Sequence, residues 1–544
     1  MKIILKTTLL LLIISVFIAP LCGLSAFAEG EETFDKVRDV YIPEALIVNA
    51  PTVVQLIDST QKLDSLQNEV RPQGAWLRLG AEDRKVILAE SAIELTQALD
   101  ACAGKVIPVI EIPNEAAAEY VITNVKDQYF DMILASNDAA VLDKLNKAAI
   151  PYTRLAYITN ETDAVKVTNQ ALTCGAMIVV TQNATREFCE YLQQRFLTVM
   201  LRPNVKNDEL SVRASVDCGA NFVVMDGFKK AYEMYEAVTR ICYIREGYIV
   251  GHRCMVSAAP ENTVEGLREA FENGADAVEI DIWRTTDDRL VCFHNNYLAG
   301  STTIEAPYPT KLINEYSLEE LQQFSLKQKG DYFDCKIPTL DQMLSALKEY
   351  PGKMIVIEIK DYKKTGELVH ALLEEYGVTS QAVFISFGGD YLRDQREFNP
   401  GVGTSLLTSA TWEDPLGYVD HYFKYTVGLP ASYSPGKTIS VEGIRQLHAR
   451  GVAVNLWTAY RLGEMTDMAF HGAQFITTDA VEDGSMVKDF YNRMNADQVF
   501  GTYTPPVTEE NTDFTTIVVI CICSSAVIIV IVCIFIRKKK KAKS

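Results

Sequence analysis

All six histidines of this 544-residue chain lie beyond residue 250. Histidine is the side chain best suited to moving protons near neutral pH, so imidazole-based chemistry belongs to the second half. There, polar residues recur at the ends of short apolar runs: Gly251-His252-Arg253, Pro260-Glu261-Asn262-Thr263, Glu279-Ile280-Asp281, Val291-Cys292-Phe293-His294 and Glu358-Ile359-Lys360. Side chains alternate along a strand, so Glu279 and Asp281 share one face, and Glu358 and Lys360 another. Were these strand ends to meet, three carboxylates would converge beside a lysine, an arginine and two histidines. Such a cluster is costly in an apolar interior unless a cation neutralises it. All-oxygen donors point to a hard divalent ion, Ca²⁺ or Mg²⁺.

The elements that would bring these residues together are parallel strands closed into a ring. In the second half, apolar runs fall at 248–252, 277–282, 354–359, 382–386, 402–407, 422–427, 453–457 and 474–477, with amphipathic stretches such as 264–272, 366–375 and 441–450 between them. Eight β/α units predict a (β/α)8 barrel of the TIM type, whose strand C-terminal ends open at one mouth. The first half repeats the pattern at 45–49, 75–79, 106–111, 131–135, 154–158, 176–181, 198–202 and 221–225. Residues 104–111 resemble 352–358, and 219–226 resemble 472–479, in the same order. The expected α/β architecture is two tandem barrels arising from a duplication.

The ordered series His-Arg, Pro-Glu-Asn-Thr, Glu-x-Asp, His and Glu-x-Lys continues with Ser386-Phe387, Trp457-Thr458 and Thr478-Asp479. Over about residues 246–490 it resembles the glycerophosphodiester phosphodiesterase family. The resemblance implies Glu279, Asp281 and Glu358 as metal ligands and His252 and His294 as the acid–base pair. It implies Arg253 and Lys360 as phosphate contacts, Glu261 beside them at the substrate, and Trp457 lining the substrate pocket. The metal and the two cations would offset the charge that makes a phosphodiester resist attack, while the histidines exchange protons with nucleophile and leaving group. His370, His421, His448 and His471 read as packing or surface residues, and Ser386 and Asp479 as structural. Two positions depart from the family pattern. Cys254 stands where glycine is usual, at a place where glycine could serve an unusual backbone angle, and Asn295 replaces the aspartate that usually follows His294.

The first barrel lacks this machinery. It has no histidine, its second strand reads Trp76-Leu77-Arg78-Leu79, and Glu111 alone matches Glu358. It reads as a non-catalytic binding or spacing module. The stretch Gly80–Ile110 is also much shorter than the insertion Ile282–Ile357 that, by the resemblance, helps build the substrate mouth.

The ends carry membrane signals. Lys2 and Lys6 precede an apolar run, and Ala26-Phe27-Ala28 offers a cleavage site, so residues 1–28 read as a signal peptide. Residues 514–536 run without a charge and are followed by the six cations of the basic tail 537–544, the pattern of a transmembrane helix with a cytoplasmic tail. Between them lie the degenerate barrel (29–245), the catalytic barrel (246–497) and a Pro- and acid-containing stalk (498–513). The expectation is a single-pass cell-membrane protein with both barrels extracytoplasmic. A formal net charge of −19, borne wholly between the two basic ends, excludes nucleic acid as a partner. Eight ectodomain cysteines without CxxC spacing read mostly as buried free thiols. The function expected is metal-dependent hydrolysis of extracellular glycerophosphodiesters, whose sources include membrane lipid or a glycerol-phosphate wall polymer. Phospholipase D-like action on intact lipid and non-catalytic phosphodiester binding are the alternatives.

Overall fold

The computed structural model describes residues 40–505, apart from 83, 127, 130, 306–309, 362–364, 410–416, 418, 420–421, 423–430, 438 and 491–492. The expected signal peptide, transmembrane helix and tail, the second half of the stalk and His421 lie outside the described residues. Among the described residues, no helix is long and apolar enough to cross a membrane.

Two barrels follow one another in a single compact unit that ends at Asn495. The first is a closed ring of parallel strands: β1 (Thr52–Leu56), β2 (Gly74–Arg78), β3 (Ile107–Glu111), β4 (Met132–Ser136), β5 (Thr153–Ile158), β6 (Ile178–Thr181), β7 (Thr198–Leu201) and β8 (Phe222–Met225). The second comprises β9 (Tyr248–Gly251), β10 (Ala277–Arg284), β11 (Met354–Ile359), β12 (Ala382–Ser386), β13 (Thr404–Thr408), β14 (Ser432–Pro435), β15 (Ala453–Ala459) and β16 (Phe475–Thr478). It closes where β9 pairs with both β10 and β16, and Leu290–Cys292 adds an antiparallel edge to β10.

Two strands differ from the sequence expectation. Ile47–Val48 pairs outside the ring with Cys242–Tyr243, and the first barrel strand starts after Pro51. Asn49 adopts a left-handed backbone (φ 61°), which turns the chain, and Pro51 has no N–H to give to a ladder. In the second barrel, strand six is Ser432–Pro435, not 422–427; of that earlier run only Tyr422 is described, and it is helical. β14 escapes an apolar-periodicity reading because the interior is polar there. Ser405, Ser432 and Asn455 are buried and hydrogen-bonded to one another.

The barrels meet base to base. Arg195 and Phe196 immediately precede β7, and Gly403, Arg450 and Gln474 precede strands of the second barrel. Arg195 donates to the Ser380 carbonyl at 2.6 Å, Thr198 to that of Gly451 at 3.2 Å, and Gln474 to that of Gln193. Phe196 stacks edge-on against Phe475 with ring centroids 5.0 Å apart. One hydrophobic cluster therefore runs from Leu197 and Val199 through Phe196 to Tyr248, Met354 and Val383. Approach is close enough that a Cβ on Gly403 would lie 2.4 Å from the Arg195 carbonyl oxygen. Both catalytic-type mouths, at the opposite strand ends, consequently face away from the junction.

Charge is also buried there. Arg154 and Arg450 have no solvent exposure, and both reach Asp131, at 3.0 and 2.7 Å. Removing one partner of a buried ion pair leaves charge that the interior cannot solvate, a cost of about 3–5 kcal/mol. Asp131→Ala is expected to destabilise the two-barrel unit by that amount in chemical denaturation; a loss below about 1 kcal/mol would show the bridge to be energetically idle.

Candidate active site

β9, β10 and β11 pair in register so that Asp281 lies opposite Glu358. The carboxylates of Glu279, Asp281 and Glu358 are all buried, and each offers an oxygen within 4.8 Å of the others. They form the one cluster among the described residues suited to a metal ion. Lys360 Nζ lies 2.9 Å from Asp281 and 2.6 Å from Glu358. Asn262 clamps Asp281 from two sides: its Nδ2 donates to Oδ2 and its Oδ1 accepts from the backbone N–H, both at 2.9 Å. The Arg253 backbone N–H donates to Glu279 at 2.8 Å.

These carboxylates are under electrostatic load. Burial, then the charges of Asp281 and Glu358, push the Glu279 carboxyl well above its ordinary range. Burial and the Asp281 charge push Glu358 up to about 7. Burial also opposes ionisation of Asp281, but Lys360, His294 and the hydrogen bond from Asn262 outweigh it and hold that group below its usual value. Two buried acids that resist ionisation beside one that does not form a site short of positive charge. Three converging carboxylates fit a hard divalent cation, whose charge would favour the ionised form of all three.

The turn after β9 carries the first histidine. His252 Nδ1 sits 2.6 Å from Asp479 Oδ1, at the end of β16. Asp479, read from sequence as structural, thus touches the His252 imidazole. The sequence signals for this are its place at a strand C-terminal end and its position in the Thr478-Asp479 motif. The next two residues are strained: Arg253 and Cys254 have φ of 49° and 74°, and Asn262 has 59°. The left-handed angle at Cys254 explains why glycine suits that position. Its fully buried side chain and its N–H bond to the Glu279 carbonyl hold the turn despite the missing glycine. Gly251 is also required, because a Cβ there would fall 2.1 Å from the Cys254 carbonyl oxygen.

His294 faces the same pocket, with Nδ1 3.1 Å from Asn295 Oδ1. Burial, and the nearby Arg253 and Lys360 cations, hold it below the ordinary imidazole value. Asn295 donates to Ser301, Ser301 to Glu261, and Glu261 accepts from Arg253 at 2.9 Å. Glu261 therefore stands behind Arg253 and holds it, rather than lining the pocket. Arg253 Nε is buried, with no hydrogen-bond partner among the described residues, and lies 3.8 Å from Asp281 Oδ2. Trp457 lines the pocket, anchored by Nε1 to the Ser434 carbonyl at 2.9 Å and set edge-on to the half-exposed Phe387. His370, His448 and His471 do not line it. The pocket is a cavity of about 170 Å³, partly open to solvent. Its base is Phe196 from the other barrel, which the second half's sequence alone could not reveal.

The first barrel shows what replaces this site. Arg78 lies opposite Glu111 as Asp281 lies opposite Glu358, and Trp76 occupies the position of Glu279. Glu111 accepts from Trp76 Nε1 at 2.8 Å and pairs with Arg202 at 3.2 Å, and that guanidinium lies 4.6 Å over the Trp76 ring. Protein cations and an indole fill the mouth in place of an acid trio. The eight described cysteines are all free, and all but Cys335 are buried.

Residues 252–483 match the model of the glycerophosphoryl diester phosphodiesterase family. A glycerophosphodiester phosphodiesterase of Caldanaerobacter subterraneus is 27% identical over 247 residues, covering 43% of this chain and 94% of that protein. Human glycerophosphodiester phosphodiesterase 1 is 25% identical over 266 residues, covering 43% of this chain and 78% of its own. A solved Oleispira antarctica phosphodiesterase, in complex with the product sn-glycerol-3-phosphate, aligns with 47% of this chain and 99% of its own at 22% identity and a TM-score of 0.38. The second barrel thus carries a domain that matches the glycerophosphoryl diester phosphodiesterase family.

Proposed function

We propose that the second barrel hydrolyses glycerophosphodiesters to glycerol 3-phosphate and an alcohol, with Ca²⁺ or Mg²⁺ held by Glu279, Asp281 and Glu358. The observation that carries this reading is the convergence of that acid trio, Arg253, Lys360, His252 and His294 on one pocket. A divalent ion there would supply Lewis-acid stabilisation of the charge that grows on the phosphoryl oxygens. Arg253 and Lys360 hold the phosphate and share in that stabilisation.

The histidines divide the proton transfers. Asp479 accepts the Nδ1 proton of His252, leaving Nε2 as the lone pair aimed at the pocket, so His252 takes the proton of the attacking hydroxyl. That nucleophile is water, or a substrate hydroxyl that water later replaces. His294 hands a proton to the alcohol oxygen as its bond to phosphorus breaks. A histidine held below its ordinary value gives up that proton readily, and it must be protonated before each turnover.

Both barrels lie outside the cytoplasm in this reading, tethered by residues 514–536, where membrane lipid or a glycerol-phosphate polymer would supply the diester. The motivation is the charge-free run followed by the basic tail.

Purified protein is expected to release glycerol 3-phosphate from glycerophosphocholine, to lose activity with a chelator and to regain it with Ca²⁺ or Mg²⁺. His252→Ala and Asp479→Asn should each lower kcat by about 10²–10⁴-fold; wild-type activity in either would remove His252 from the mechanism. Because His294 acts protonated, kcat/KM should fall as pH rises through its pKa. Asn295→Asp places a carboxylate against Nδ1, favours the charged ring and should move that alkaline limb to higher pH; a limb that stays or moves down would assign the acid elsewhere. Full-length chain should remain in membranes after alkaline carbonate extraction, and a chain ending at residue 505 should not; release of both would refute the tether.

A further inference from the structure

Of the two histidines at the pocket, His252 leans on a carboxylate and His294 on an amide. An amide has two faces, one an acceptor and one a donor, and they leave an imidazole in opposite states. With the oxygen toward Nδ1, that nitrogen must carry a proton. With the NH₂ toward Nδ1, that nitrogen must stay bare, and charging the ring is opposed. A carboxylate at position 295 would meet no such choice, because both of its oxygens accept.

The hydrogen bonds behind Asn295 decide which face is presented. Glu261 accepts from Arg253 through Oε2 at 2.9 Å, and a carboxylate only accepts. Its Oε1 lies 3.1 Å from Ser301 Oγ, so the single hydroxyl proton of Ser301 points there. The hydroxyl oxygen is left as an acceptor, and Asn295 Nδ2 donates to it at 2.8 Å. The amide nitrogen is thereby turned from the ring, and Oδ1 stands 3.1 Å from His294 Nδ1. Ser301 is itself held by backbone pairing. Its carbonyl accepts from the Lys327 N–H at 2.9 Å, and the Thr303 N–H donates to the Ser325 carbonyl at 2.8 Å. Thr302, between them, is buried and bridges to Leu326. The hydroxyl is carried on a paired segment of the insertion.

We propose that Ser301 is a positioning residue for the acid: it holds the Asn295 amide oxygen-first against His294, which keeps one ring proton on Nδ1 and leaves Nε2 to carry the other. The inference rests on the proposed hydrolysis, in which His294 gives its proton to the departing alcohol, and adds the group that orients the ring's support. The Nε2 proton passes to the alcohol oxygen as that oxygen's bond to phosphorus breaks. The ring returns to neutral with the Nδ1 proton still bound to Asn295. Were the amide reversed, the charged ring would point one N–H donor at another. The hydroxyl at 301 thus does for an asparagine what a carboxylate at 295 would do unaided.

Two measurements on the full chain test this. Nitrogen–carbon correlation in solid-state NMR of protein carrying isotope-labelled histidine reads which ring nitrogen is protonated in the neutral form, with His294→Gln identifying the signal. A proton on Nδ1 is expected in the wild type. A proton on Nε2 overturns the proposal, whether or not any variant folds. Ser301→Ala should lower kcat on glycerophosphocholine about tenfold, with KM little changed. In an Asn295→Asp background the same change should cost less than about threefold, because the two sites are then uncoupled. A kcat untouched by Ser301→Ala, or lowered equally in both backgrounds, would overturn the proposal. Failure of the hydrolytic reading looks different: the wild type turns over no diester, while the ring proton still reports the orientation of the amide.

Discussion

Three carboxylates buried within one ligand sphere are the constraint around which the second barrel is arranged. Glu279, Asp281 and Glu358 would repel one another in an apolar interior, and every nearby group answers that repulsion. Lys360 bridges Asp281 and Glu358, Asn262 donates to the second oxygen of Asp281, and the Arg253 N–H caps Glu279. To bring Arg253 and Asn262 into place, the chain after β9 accepts left-handed backbone at three non-glycine residues. Strain at the turn and charge in the cluster are thus two sides of one requirement: an anion-binding mouth needs cations, and cations need acids to hold them still.

The first barrel solves the same geometric problem without that requirement. A carboxylate at Glu111 persists, but its neighbours are an indole and two guanidinium groups. Exchanging Glu279 for Trp76 and Asp281 for Arg78 turns a site short of positive charge into a satisfied ion pair under an aromatic ring. The fold tolerates both solutions because strand ends fix position and leave chemistry open.

Much of this could be read from the chain. Alternation in Glu279-Ile280-Asp281 and Glu358-Ile359-Lys360 identified the inward face, because a strand with period two leaves no other choice. The cost of glycine's absence at Cys254 was also legible, as a positive φ. What escaped reading has physical causes. β14 is built on inward serines that satisfy one another, so no apolar period marks it. The first barrel strand was displaced by a left-handed Asn49 and by Pro51. Asp479 acts through a neighbour distant in sequence, and an acid at a strand end looks the same whether it holds a histidine or meets water. Phe196 closes a pocket from a different barrel, a relation that no pattern within either half encodes.

Base-to-base packing has a consequence for how the two halves can cooperate. Their openings lie at opposite poles, separated by a shared core and by Asp131 with its two arginines. No substrate can be handed from one opening to the other without leaving the protein. Anything the first barrel grips is held on the side remote from hydrolysis, so the pair can moor the enzyme to one surface while it works on another, but it cannot form a tunnel.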